Sequence, residues 1–146
     1  MFRELLHRLL EPAPATLDDE GARLALTALL VRIARSDHNY SEVEKDRIDR
    51  ILAARYGLDT GGALILREQA EAMEAEAPDT VRFTRAIKDA VAYEDRTGVL
   101  EALWQVALAD GRRDANEDAL LRLSASLLGV SDVDSAKARQ RAEAAL

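Results

Sequence analysis

Leu30-Val-Arg-Ile33-Ala34-Arg-Ser-Asp37, followed after three residues by Ser41-Glu-Val-Glu44 and after three more by Ile48, decides the fold. The same pattern returns without gaps as Leu103-Trp-Gln-Val106-Ala107-Leu-Ala-Asp110, Asp114-Ala-Asn-Glu117 and Leu121. The offset from Asp37 to Asp110 is the same as that from Glu44 to Glu117. A period this long, present only twice, exceeds the usual solenoid unit and predicts one duplicated helical hairpin inside a single domain. Residues 24 to 56 are therefore expected to superpose on residues 97 to 128. In each copy an acid ends one helix, and a capping-box pattern opens the next.

Around this repeat the chain reads as helical throughout. Leu24 to Ala34 and Val99 to Leu108 are apolar on nearly every side, the mark of two central buried helices. The first is expected to begin at Thr16, with Asp18, Asp19 and Glu20 at its positive end, and to reach about Ser36. Ser41 with Glu44 opens a helix ending near Tyr56-Gly57. Asp59 or Thr60 caps a third, with a narrow apolar stripe of Leu66, Ala70, Met73 and Ala77; its acids Glu68, Glu71, Glu74 and Glu76 read as a solvated face. Pro78-Asp79 separates this helix from one carrying Val81, Ala86, Ile87 and Val91 inward and Arg82, Arg85 and Lys88 outward. Asp95 is expected to open the second central helix, Asp114 to cap the next with Glu117 at the box position, and Ser131 with Asp134 to cap the last.

The expected architecture is all-α, a single-domain bundle of seven to eight helices. Ahead of it, residues 1–15 read as an N-terminal amphipathic helix with Phe2, Leu5, Leu6 and Leu9 on one face, then a Pro-containing linker; residues 16–146 form the helical domain. That first helix is expected to dock on the chain's own core, with a partner or a membrane surface as the other surfaces it suits.

Composition narrows the function. The 146 residues are 48% hydrophobic, 32% charged and 4% aromatic, with a net charge of −7. An acidic chain with a pI near 4.9 is a poor match for phosphate backbones, so a nucleic-acid role is not expected. The absence of cysteine removes disulfides, thiolate metal sites and thiol chemistry, and fits a reducing, cytoplasmic location. No apolar run is long enough for a transmembrane helix.

The acidic turns carry the chemistry. Asp37, Asn39 and Ser41 alternate as in the start of an EF-hand, but Glu42 stands where that loop needs glycine and Ile48 where it needs a bidentate acid. A looser hard-cation site for Ca²⁺ or Mg²⁺ stays open instead, its carboxylates Asp37 and Glu44, or Asp110, Asp114 and Glu117. The competing account is capping alone, with Ser41 and Asp114 as caps, Glu44 and Glu117 bonding back to backbone N–H groups, and Asp37 and Asp110 shaping the turns by Asx-type bonding. Capping does not call for Asp37 and Asp110, because an acid at a helix C-terminus opposes the macrodipole. Glu4-Leu-Leu-His7 has one half of a di-iron motif and no second half. Trp104 reads as core, His38 as an exposed turn residue, and Tyr40 as an exposed residue of a partner surface. Nucleophile elbows, Walker loops and zincin motifs are missing, so no reaction is named by the chain and the protein reads as a non-enzyme.

Taken with Arg82-Phe-Thr-Arg-Ala-Ile-Lys88, Leu103-Trp-Gln-Val-Ala-Leu-Ala-Asp-Gly111 and the terminal Leu128-Gly-Val-Ser131, the two acidic turns make the chain resemble the TerB-like tellurite-resistance family, in its small single-domain bacterial form. The resemblance runs from about Asp18 to the C-terminus. It implies an all-helical fold of about seven helices whose acidic positions gather on one negative face proposed to bind divalent metal. It further implies a non-catalytic role in stress-response assemblies near the inner membrane, hence a protein partner. Asp37, Glu44, Asp110 and Glu117 match the recurring acids. The first turn departs from the family's Ala-Asp-Gly, reading Arg35-Ser-Asp37-His38. Three readings stay open: a binding module with a cation site, a metal-dependent hydrolase using the same carboxylates, and an interaction domain whose acidic turns only cap helices. Oligomeric state is not legible.

Overall fold

The structure, a computed structural model, describes residues 19–109, 111 and 114–145. The expected N-terminal helix and linker, the helix start at Thr16, and Asp110 lie outside the described residues. Within them run seven helices and no strand: α1 (Asp19–Arg35), α2 (Glu42–Tyr56), α3 (Thr60–Glu76), α4 (Val81–Ala90), α5 (Tyr93–Ala107), α6 (Ala115–Leu127) and α7 (Asp132–Ala144). None of the described helices is long and apolar enough to cross a membrane.

Helices α1 and α5 are the central pair, as their all-round apolar character requires. Along α1, Leu24 through Val31, Ile33 and Ala34 are all buried, and along α5 so are Val99, Leu100, Leu103, Trp104, Val106 and Ala107. The one polar side chain in the middle of this α1 run, Thr27, is satisfied by donating to the Arg23 carbonyl at 2.7 Å. The two central helices pack on each other but differ in their wrapping: α1 is covered chiefly by α3 and α4, and α5 by α7. Helix α2 bridges the halves, packing on α3 and on α5, with Ile48 and Leu52 buried.

Helix starts follow the expected caps. Ser41 and Glu44 form a complete capping box. Asp59 accepts from the Gly62 N–H at 2.7 Å, and Ser131 accepts from the Asp134 N–H at 3.2 Å. Gly57, with φ 64, ends α2 in the left-handed conformation that glycine adopts without steric cost. One start differs: α5 begins at Tyr93, two residues before Asp95, with Ala92 at the cap position. The Tyr93 hydroxyl donates to Asp134 Oδ2 at 2.9 Å and accepts from the Ser131 N–H at 3.2 Å. This pins the extra half-turn to the start of α7, a long-range contact that outweighs the local signal at Asp95.

The acidic stripe of α3 divides: Glu68 and Glu76 are exposed, as a solvated face requires, while Glu71 and Glu74 correct that reading. Glu74 is buried, accepting from Arg32 Nε at 2.9 Å and Arg35 Nη1 at 2.6 Å. Helix α3 has no basic residue in its last turn, and the two α1 arginines also donate to its terminal carbonyls: Arg32 to Glu74 and Ala77, Arg35 to Glu71. Glu71 accepts from Arg67 at 2.8 Å and from the Tyr40 hydroxyl at 2.5 Å, so Tyr40 is half-buried and tied inward. Burial, with the Glu71 carboxylate beside it, pushes the Tyr40 hydroxyl pKa well above its ordinary value.

Candidate metal centre

Two turns build the site, one joining α1 to α2 and one joining α5 to α6. In the first, α1 ends at Arg35, and the chain reverses through His38, whose φ of 63 is left-handed. Asp37 Oδ1 accepts from the Asn39 N–H at 2.9 Å, the expected Asx turn. Ser41 then caps α2: its hydroxyl accepts from the Glu44 N–H at 3.2 Å, while Glu44 Oε1 accepts from the Ser41 N–H at 2.9 Å. The second turn places Gly111, φ 74, at the position corresponding to His38. Asp114 caps α6, its Oδ1 accepting from the Asn116 N–H at 2.8 Å and the Glu117 N–H at 3.3 Å.

The glutamates at the third position of α2 and α6 meet. Glu44 is 0% exposed and Glu117 3% exposed. Together with the half-buried Asp37, each offers one carboxylate oxygen, and the three oxygens lie within 4.8 Å of one another. This separation suits a single hard cation, since Ca²⁺ holds oxygens at about 2.3–2.6 Å and two such ligands stand up to about 5 Å apart. At about 4 Å, two ionised carboxylates repel by about 4 kcal/mol in a medium of effective dielectric about 20, so a cation among them would gain strongly from the geometry. The donors are all hard oxygens, which excludes a soft-metal preference and fits Ca²⁺ or Mg²⁺.

Of the five expected ligands, the structure brings Asp37, Glu44 and Glu117 together. Asp114 stands at the α6 cap with Oδ1 engaged by two backbone N–H groups and is not one of the three clustered residues. Asp110 lies outside the described residues. Capping and clustering are not alternatives for Glu44, which serves the α2 capping box while facing Glu117 and Asp37. The deep burial of both glutamates is not legible in the sequence, because it depends on how two helix starts from opposite halves of the chain pack together. The only sequence signal for it is their repetition at the same offset.

Comparison with curated proteins and with solved structures gives no significant match. The family profile described as tellurite resistance protein TerB matches residues 23–140, which include both turns and every helix but the end residues of α1 and α7. That match covers about four fifths of the chain, and the protein belongs to the TerB family.

Proposed function

We propose that the protein is a non-enzymatic binding module in which the two acidic turns jointly hold one divalent cation, in a tellurite-resistance type of context. The observation that carries this reading is the convergence of Asp37, Glu44 and Glu117 oxygens within 4.8 Å of one another. Three carboxylates favour Ca²⁺ over Mg²⁺, which dehydrates reluctantly and is usually held by one or two carboxylates with several waters. Asp110 joins the donor set in this reading on sequence grounds alone, as the counterpart of Asp37, and Asp114 supports it by fixing the start of α6. Burial of Glu44 and Glu117 favours holding an ion over hydrolysis, since a general base must come within reach of a substrate proton. A cation bridging two helix hairpins would stiffen the face they share, which suits presentation to a protein partner.

Calorimetric titration with Ca²⁺, Mg²⁺ and Mn²⁺ tests the reading. One site per chain is expected, with Glu44→Gln and Asp37→Asn each weakening it at least tenfold. Absence of binding heat, together with an unchanged melting temperature for all three ions, would overturn it.

A further inference from the structure

A second surface, along the other end of α6, has the opposite charge. Between α4, the start of α5 and the end of α6 lies an open groove of about 530 Å³, lined by Val81, Thr84, Arg85, Lys88, Asp89, Arg96 and Leu127. Leu127 is ten residues beyond Glu117, roughly 15 Å along the helix, so this groove is separate from the carboxylate cluster. Three of its lining residues are cationic and one is acidic, in a chain whose net charge is −7.

The cations have a physical reason to gather here. Arg96 donates from Nε to the Val91 carbonyl at 3.1 Å and from Nη1 to the Leu128 carbonyl at 2.9 Å, tying the ends of α4 and α6 together. A Cβ at Gly129 would stand 3.5 Å from Arg96 Nη1 and 3.8 Å from Lys88 Nζ. Both cations therefore sit over the negative end of α6. Carbonyl partners carry no net charge, and the guanidinium keeps its positive charge at the groove. Val81 and Leu127 are the apolar part of the lining, with Val81 39% exposed, and next to the groove, outside its lining, Leu123 is 48% exposed. Leu123 lies one turn before Leu127 on the same face of α6.

We infer that this groove docks an acidic amphipathic helix of a partner protein, its apolar residues against Val81, Leu123 and Leu127 and its carboxylates toward Arg85, Lys88 and Arg96. Charge complementarity selects the partner: a basic rim in an overall acidic molecule attracts acidic segments locally while repelling them elsewhere. The exposed apolar residues then supply contact area that an inorganic anion would leave uncovered.

The test uses the full chain and a fluorescent synthetic helical peptide with Leu at i, i+4 and i+7 and Glu on the flanks, against the same peptide with Gln for Glu. Anisotropy should show the Glu peptide binding at least tenfold tighter at low salt and losing that advantage as salt is raised. Arg85→Gln with Lys88→Gln should weaken binding at least tenfold, while Arg50→Gln with Lys137→Gln, removing equal charge from elsewhere on the molecule, should leave it unchanged. Arg85→Gln alone serves if the double variant unfolds, because Arg85 is a solvent-exposed residue of α4 and the substitution keeps most of its length. Equal affinity for both peptides, or equal loss from the two charge-removing pairs, overturns the inference. So does carbodiimide cross-linking of Lys88 to Glu4 or Glu11 in the full chain, which would mean that the groove is filled from within.

Discussion

The turn joining α1 to α2 and the turn joining α5 to α6 perform one backbone task with different side chains. Both reverse through a left-handed residue and then cap a helix. The first uses His38 and a serine cap with a returning glutamate; the second uses Gly111 and a carboxylate cap. The first turn is also held from outside, by Tyr40 bonded to Glu71 and by Arg35 and Lys45 over the Tyr40 ring at 5.1 and 4.9 Å. What the two turns share is a buried glutamate at the third helical position. Neither the turn nor the cap requires that burial, since capping boxes work at solvent-facing helix starts. A feature common to both turns, and unnecessary to either alone, points to a task they perform together.

The largest expected effect breaks the comparison at its supports. Glu74 holds both Arg32 and Arg35 beneath the first hairpin. Glu74→Ala would strand them and should cost about 3 to 5 kcal/mol in urea denaturation. The bond between Arg141 and Glu101, which joins α7 to α5 in the second half, is solvent-exposed, with side-chain exposures of 48% and 27%. Glu101→Ala should cost no more than about 1 kcal/mol. Similar losses for both would mean that the two hairpins are not supported differently.

Next comes the cation itself. At roughly 100 times its dissociation constant, a divalent ion that binds only the native state should add about 2.7 kcal/mol, read as a raised melting temperature. At the same ion concentration Glu117→Gln should remove about half of that rise or more, and so should Glu44→Gln, although the two residues belong to different turns. Loss through only one of them would make the site a property of a single turn.

Cap replacement sharpens the comparison on a smaller scale. Ser41→Ala and Asp114→Ala should each cost about 0.5 to 2 kcal/mol without metal, measured by thermal unfolding. Asp114→Ser should recover most of the second loss, since the hydroxyl can accept the same backbone bonds. Smaller still is the contrast at the left-handed positions. Gly111→Ala should cost about 1 kcal/mol, while His38→Gly should fall within about 0.5 kcal/mol of zero, its conformational relief offset by a more flexible unfolded chain.

Much of this fold is legible in the sequence because its signals are local. Apolar residues on all sides of Leu24 to Ala34 require a central helix, and Ser41, Asp59, Asp114 and Ser131 carry short-range capping bonds that spacing alone identifies. Glu74 reads as solvated because its partners Arg32 and Arg35 lie 42 and 39 residues away, and Glu71, although Arg67 is one turn before it, gives no local sign of Tyr40, 31 residues away. Tyr93 gives no signal for the same reason, its partners Ser131 and Asp134 being at the start of α7. The site divides similarly. Repetition identifies Asp37, Glu44 and Glu117, but whether the two turns meet depends on how the hairpins cross, a tertiary property. The cap role of Asp114 is written in its position, while its separation from the three clustered oxygens is not.

Paramagnetic broadening by Mn²⁺ in a two-dimensional amide spectrum tests most directly whether one ion is held by both turns. At a small fraction of one equivalent, amides of residues 37–41 and of residues 114–117 should broaden together and recover together when Ca²⁺ is added in excess. Broadening confined to one turn, or spread evenly over the acidic surface without recovery by Ca²⁺, would contradict a shared site.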